Sequence, residues 1–269
     1  MDIYKLIVNS VRVRRKDTIP AQLMLRLPLA LLNMTHASDP SSTFQFSSKQ
    51  GFLPYAAPMA GYLIFTSLES DLITKMGYPA AYTMKAAVVA LLVAFFHSAI
   101  PKWNRQGLTL ALIFGALGCP IWIGLDWLQN EIAPVIQLNF MTSERTGFSP
   151  TLHPLTVETL GFLVVRMMGL VLLVPLLEEI FWRGFLARYL IDESFEGVAH
   201  GKYTLVSGLF TTVAFAAVHP EILAAIVWGA GVHWIWVRTG NLWACIVAHA
   251  MTNALLGGYV LSTGSWHLW

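Results

Sequence analysis

Seven long apolar segments are the feature of this 269-residue chain that most restricts its fold. Hydrophobic residues make up 56% of the chain and charged residues 12%, against roughly 25% charged in a soluble domain. A soluble globule of this composition would expose large apolar patches, so we predict an all-α, polytopic integral membrane protein. The segments are near the ~20 residues that one helical crossing needs, and they are Phe52–Leu68, Ala80–Ile100, Gly107–Leu125, Thr159–Leu177, Tyr203–Val218, Ile222–Val237 and Leu242–Leu261.

Charge is distributed unevenly and predicts both domains and orientation. Residues 1–50 carry seven basic and three acidic groups, and residues 51–269 carry ten and twelve. We therefore expect a basic N-terminal extension and linker at 1–50 and a membrane-embedded domain at 51–269. Basic residues favour the cytoplasmic side, which predicts a cytoplasmic N-terminus and an outside C-terminus. The lipid bilayer is the expected environment, and nucleic-acid binding is not expected from a basic tail of this size.

Ionisable residues inside apolar helices are costly and mark the places to look for function. Glu178, Glu179 and Arg183 follow directly on the fourth apolar segment, and little breaks a helix before about Leu190. The two glutamates lie ~100° apart around a helix axis, so they cannot share one role. Glu179 and Arg183 have the i, i+4 spacing of an ion pair, which leaves Glu178 free to face a polar intramembrane cavity.

Three histidines lie in or directly after the last three apolar segments. His219 ends the fifth segment, and His249 lies four residues before Asn253 in the seventh, so imidazole and amide share one helix face. From the rise of a helix, Glu178, His219 and His249 lie ~18, ~24 and ~14 Å from the cytoplasmic ends, so they could meet. A carboxylate, two imidazoles and an amide are the parts of a water-activating hydrolytic site. His233, in the sixth segment, is expected to be an interhelical hydrogen-bond partner.

These residues resemble the three motifs of a known family. Glu178-Glu179-x-x-x-Arg183, Phe215-x-x-x-His219 and His249-x-x-x-Asn253 occur in that order on separate apolar helices. The pattern resembles the CPBP family, which contains CAAX prenyl endopeptidases of the Rce1 type and bacteriocin-processing relatives. The run Phe181 to Leu186 also looks like the CAAX-protease-related proteins that accompany exosortase systems. The resemblance covers about Thr159 to Leu261.

The resemblance implies an intramembrane glutamate endopeptidase in a bacterial inner membrane. Glu178 would be the base that activates water, assisted by His219, and His249 with Asn253 would form the oxyanion hole. Glu179 and Arg183 would keep the helix and the catalytic carboxylate in position. The implied partner is a membrane-associated peptide or protein, cleaved near its C-terminus, and no cofactor is implied.

Three alternatives remain open on sequence grounds. A zinc peptidase could use Glu178, His219 and His249 as ligands, although the helical H-E-x-x-H arrangement is absent. A non-catalytic scaffold or transporter could use the same polar cavity to bind a partner or an ion. Cys245 lies four residues before His249 and could be a thiol nucleophile, but an apolar setting opposes the thiolate.

Overall fold

A computed structural model of the protein describes residues 51–135 and 156–268, and those residues contain helices and no strand. The predicted linker and the region 136–155 lie outside them. The helices are α1 Leu53–Ser67, α2 Glu69–Met76, α3 Tyr78–Phe95, α4 Leu108–Val135, α5 Val157–Tyr189, α6 Leu205–Ala217, α7 Ile222–Thr239 and α8 Leu242–Thr263, with 3₁₀ turns at His97–Ala99, Phe195–Gly197 and Trp266–Leu268.

Five of these helices, α3, α4, α5, α7 and α8, are long and apolar enough to cross a membrane. The other two segments predicted to cross are α1, with 15 residues, and α6, with 13. At ~1.5 Å per residue a 13-residue helix covers ~20 Å of a ~30 Å hydrocarbon core. The all-helical membrane class is therefore confirmed, and the count of seven crossings stays a prediction.

The short helix α2 was not predicted, since its segment was expected to be a loop. It places the Glu69 carboxylate beside α3, where Oε2 accepts a hydrogen bond of 2.8 Å from Lys85 Nζ. Lys85 is the one charge of the second apolar segment, and it is buried. An ion pair with α2 gives this lysine the partner that a charge inside an apolar bundle needs.

The loops with basic residues meet at one end of the bundle, as their charge pattern predicts. Asn241 Nδ2, between α7 and α8, donates to the carbonyl oxygens of Asn104 and Gln106 in the loop before α4. In the loop before α6, Gly201 has its Cα so close to α7 that an added Cβ would lie 3.0 Å from the Trp236 carbonyl oxygen. Three loops on the same end imply that the helices they join alternate in direction.

Helix α8 is held against α4 at two glycines. A Cβ on Gly115 would lie 2.5 Å from the Ala248 carbonyl oxygen, and one on Gly118 would lie 2.7 Å from Thr252 Oγ1. Small residues allow such close approach of helices in lipid. Thr252 Oγ1 also donates to the Gly115 carbonyl oxygen at 2.9 Å. The contact therefore fixes the rotation of α8 and the face on which His249 projects.

The bundle has an apolar surface, and its largely apolar core also contains charged and amide side chains. Its buried residues include charged and amide side chains, whereas large apolar side chains cover its surface, among them Leu91, Phe95, Val164, Leu172, Leu205 and Val213. A soluble protein has the opposite arrangement. Together with the long apolar helices, this distribution identifies an integral membrane protein.

Candidate active site

The predicted ion pair on α5 is present and joins three helices. Arg183 Nη1 lies 3.1 Å from both carboxylate oxygens of Glu179, and both side chains are fully buried. Arg183 Nη2 donates to the Gly229 carbonyl oxygen on α7 at 3.0 Å. Glu179 Oε1 also lies 3.0 Å from His249 Nδ1 on α8. The second glutamate of the motif is therefore fully engaged in holding α5, α7 and α8 together.

Glu178 has a different environment, in agreement with the predicted division between the glutamates. Its side chain is only 4% exposed, and its Oε2 has no hydrogen-bond partner within the described residues. A buried carboxylate oxygen without a structural partner is rare in proteins, and such groups concentrate at functional sites.

His249 has its orientation set by a carboxylate. Glu179 is paired with Arg183 and can only accept, so His249 Nδ1 carries the hydrogen of their 3.0 Å contact. The imidazole packs against Trp228, with 4.6 Å between ring centroids. Trp228 is fixed in turn, because its Nε1 donates to Thr252 Oγ1 at 3.1 Å. His249 Nε2 is therefore the nitrogen left for chemistry.

His219 is oriented by its own helix. Its Nδ1 lies 2.7 Å from the Phe215 carbonyl oxygen, which can only accept, so Nδ1 is protonated and Nε2 of the neutral ring is an acceptor. The half-buried ring packs against the rings of Phe215 and Trp122, with 4.3 Å and 5.8 Å between ring centroids. His219 can thus accept a hydrogen bond from a water molecule.

Phe215 brings the two histidines together. This fully buried ring contacts His219, lies 6.5 Å from the His249 ring, and has the Arg183 guanidinium 5.2 Å from its centroid. It reaches α7 because Gly229 has no side chain, and a Cβ there would lie 3.0 Å from the ring. No role was predicted for Phe215 beyond its place in the motif, yet the rings of both His219 and His249 pack against it.

Asn253 is attached to a π-helical segment of α5. Its Nδ2 donates to the Leu170 carbonyl oxygen at 2.9 Å, and Leu170 lies in the π segment Gly169–Leu173. A second π segment, Ile180–Leu186, follows the two glutamates. Such segments occur frequently at functional sites, and nothing in the hydropathy pattern predicts them. An amide has two N–H donors, so Asn253 keeps one for another acceptor.

Gln129 is a further residue whose role was not predicted from the sequence. The backbone between α6 and α7 is irregular just after His219, and such backbone is tolerated at membrane depth only where protein or water satisfies it. Gln129 Nε2, on α4, donates to the Pro220 carbonyl oxygen at 2.9 Å, and its Oε1 accepts from Leu223 N at 2.9 Å. One side chain thus satisfies both backbone groups and holds the loop that carries His219. An isolated glutamine in a predicted loop gave no signal of this.

One expectation differs from the structure. His233 was expected to bond a neighbouring helix, yet neither ring nitrogen has a hydrogen-bond partner among residues 51–135 and 156–268; its ring packs on Trp236 and Tyr203 instead. The predicted polar cavity stays a prediction, and the two side chains expected to line it, Glu178 and His249, are 4% and 5% exposed.

The thiol and zinc alternatives gain no support from the geometry. Cys245 is fully buried, and its Sγ lies 3.8 Å from the carbonyl oxygens of Val232 and Asn241. In the described part of the chain, no three His, Cys, Asp or Glu side chains converge as a metal site requires.

One comparison with known proteins finds a similarity to a family over part of the chain. Residues 160–255 match the Rce1-like family, described as type II CAAX prenyl endopeptidase Rce1-like. No curated protein and no solved structure is significantly similar to the chain. The matched range contains all three motifs, and it supports assignment of the chain to the CPBP, or CAAX protease, family. The family implies protease activity.

Proposed function

We propose, on the premise that this chain is a CPBP-family protein, that it is an intramembrane glutamate-type endopeptidase. Its substrate is a membrane-associated peptide or protein, cleaved near the C-terminus. The observation that carries the proposal is Glu178, a buried carboxylate whose Oε2 has no structural partner within the described residues. Its neighbour Glu179 meanwhile binds Arg183 and His249. This is the division expected between a catalytic carboxylate and a supporting one.

Glu178 acts as the general base. It takes a proton from a water molecule while His219 Nε2 accepts that water's second hydrogen bond. The oxygen adds to the carbonyl carbon of the scissile bond, and the carbonyl electrons move onto its oxygen. Collapse of the tetrahedral intermediate breaks the C–N bond, and Glu178 returns its proton to the leaving amine. A positioned base of this kind contributes about 10²–10⁴-fold to a rate.

His249 and Asn253 stabilise the oxyanion. The Nδ1–H of His249 is held by Glu179, so Nε2 donates only when the ring is an imidazolium. The Glu179 carboxylate supplies the negative charge beside the ring, and Arg183 holds that carboxylate in place. The second N–H of Asn253 lies one helical turn along the same face of α8. Donors fixed before the reaction are worth several kcal/mol because they need no reorganisation when charge develops.

The membrane arrangement that we propose has seven crossings, a cytoplasmic N-terminus and a bacterial inner membrane as its location. Helix α6 covers only part of the bilayer thickness, so the break after it leaves His219 within the membrane. Breaks of this kind in transporters and channels line binding sites. Opening of the side chains around Glu178 would admit water and the substrate peptide to the same place.

The test uses purified protein in liposomes and a panel of C-terminal peptides, with and without a lipid on a cysteine near the end. Products are identified by mass spectrometry. We expect one new scissile bond with the wild type and with Glu193→Gln, an exposed loop glutamate that serves as the matched control. The same bond should stay intact with Glu178→Gln. Cleavage that persists in Glu178→Gln would exclude the proposed base.

A further inference from the structure

Trp182 is a buried indole one helical turn beyond Glu178 on α5. It lies in the π segment Ile180–Leu186, and its side chain is 4% exposed. The ring packs edge-on against Phe215, with 6.0 Å between ring centroids, and against Phe181, with 4.8 Å. Trp182 therefore packs against Phe215, the same ring against which His219 and His249 pack.

The indole N–H of Trp182 has no hydrogen-bond partner within the described residues, although other buried tryptophans there have one. Trp228 donates to Thr252 Oγ1, and Trp236 donates to His200 Nδ1 at 3.4 Å. Buried indoles normally find an acceptor, since an unsatisfied buried donor costs the full desolvation of the group. An indole without an acceptor in this bundle thus indicates a partner outside the protein chain.

Glu178 offers the matching acceptor. Its Oε2 is a buried carboxylate oxygen without a hydrogen bond in the described part of the chain, and Glu178 lies four residues before Trp182 on α5. A group that can only donate and a carboxylate that accepts therefore lie one helical turn apart on α5, and neither atom has a hydrogen bond within the described residues. Enclosed polar atoms of this kind are usually bridged by an ordered water molecule.

We propose that Trp182 is a positioning residue for the proposed peptidase reaction: its indole N–H holds Glu178 Oε2 through one bridging water molecule. The inference rests on the proposed function, because it gives Glu178 the role of base. With Oε2 held by Trp182, the other carboxylate oxygen points to the reacting water. Precise orientation of a base accounts for large rate factors, so loss of this donor should act on turnover.

The decisive substitution replaces Trp182 by β-(3-benzothienyl)alanine, which keeps the two-ring shape and has sulfur in place of the N–H. Trp182→Phe is the simpler variant, since it keeps one ring against Phe215. Trp243→Phe is the matched control, because it removes an indole hydrogen bond at the end of the bundle where Pro101 lies. All are measured as the full chain in liposomes, on the peptide cleaved by the wild type.

We expect both Trp182 replacements to lower kcat about 10- to 100-fold, the usual effect of losing a hydrogen bond to a charged group, with KM changed less than about threefold. Trp243→Phe should keep the wild-type kcat. Wild-type kcat in the benzothienylalanine variant would overturn the inference, as would an effect confined to KM. If Trp182→Phe does not fold, the benzothienylalanine variant decides.

Failure of this inference can be told apart from failure of the proposed function. An inactive Glu178→Gln together with a fully active benzothienylalanine variant would refute only the role of Trp182. Activity in Glu178→Gln would refute the base itself, whatever the Trp182 variants do.

Discussion

Removal of the Arg183 guanidinium should destabilise the protein more than removal of both members of its ion pair. Arg183→Met deletes two contacts of 3.1 Å to Glu179 and one of 3.0 Å to the Gly229 carbonyl oxygen, while its methylene packing is largely kept. Glu179 would then remain a buried carboxylate with His249 as its hydrogen-bond partner. We expect the free energy of unfolding to fall by about 3–5 kcal/mol, which is typical when one partner of a buried pair is removed.

The double variant Glu179→Gln/Arg183→Met should be more stable than Arg183→Met alone. A neutral glutamine at position 179 leaves no uncompensated charge and can still bond His249. The remaining loss is the hydrogen bond from Arg183 to the Gly229 carbonyl oxygen, which keeps its helical backbone partner on α7; a hydrogen bond from a charged donor contributes about 1.5–3 kcal/mol. The second substitution should therefore restore about 2 kcal/mol, although it removes a further charged side chain.

Unfolding is measured in detergent micelles by titration with a denaturing detergent, for the wild type, the two single variants and the double variant. The readout is tryptophan fluorescence, since Trp228 and Trp182 line the affected region. The reasoning would be refuted if the free energy of unfolding of Arg183→Met were within about 1 kcal/mol of the wild-type value. It would also be refuted if the double variant were less stable than Arg183→Met.

Three other predictions address the site and the topology. Asn253→Ala should lower kcat ~10²–10³-fold with KM little changed, as loss of one oxyanion donor does, and an unchanged kcat would remove Asn253 from the reaction. The Cys119→Ser/Cys245→Ser variant, treated with a strong chelator, should keep its peptidase activity. Activity that is lost on chelation and restored by zinc would indicate a metal mechanism, and activity abolished by the serine substitutions would indicate a thiol mechanism. Reporters fused after Lys49 and after Trp269 should report opposite sides of the membrane, whereas a shared side would mean that the number of crossings is even.

Local spacing and hydropathy were sufficient to predict the long apolar helices and the ion pair. The continuation of α5 past the glutamates to Tyr189 is confirmed, because the sequence between Glu178 and Tyr189 has only Gly184 to weaken a helix. The Glu179–Arg183 pair is confirmed for a similar reason, since i, i+4 contacts depend on one helix alone.

Contacts between helices could not be predicted in the same way. That His249 binds Glu179 depends on the rotation of α8, which Gly115 and Gly118 set through their fit against Thr252 and Ala248. The roles of Phe215 and Gln129 were missed because each joins elements that are distant in the chain. Hydropathy records how apolar a segment is and contains no information about which neighbour a side chain will meet.

The central claim is that Glu178 activates the water that cleaves the peptide bond. It is tested most directly by the single-turnover cleavage rate of Glu178→Gln in liposomes, on the peptide that the wild type cleaves, with Glu193→Gln as the control. Glutamine keeps the size of the side chain and cannot accept the proton. We predict a rate at least ~100-fold below the wild type, with unchanged unfolding and a control at the wild-type rate; a rate within about tenfold of the wild type would contradict the account.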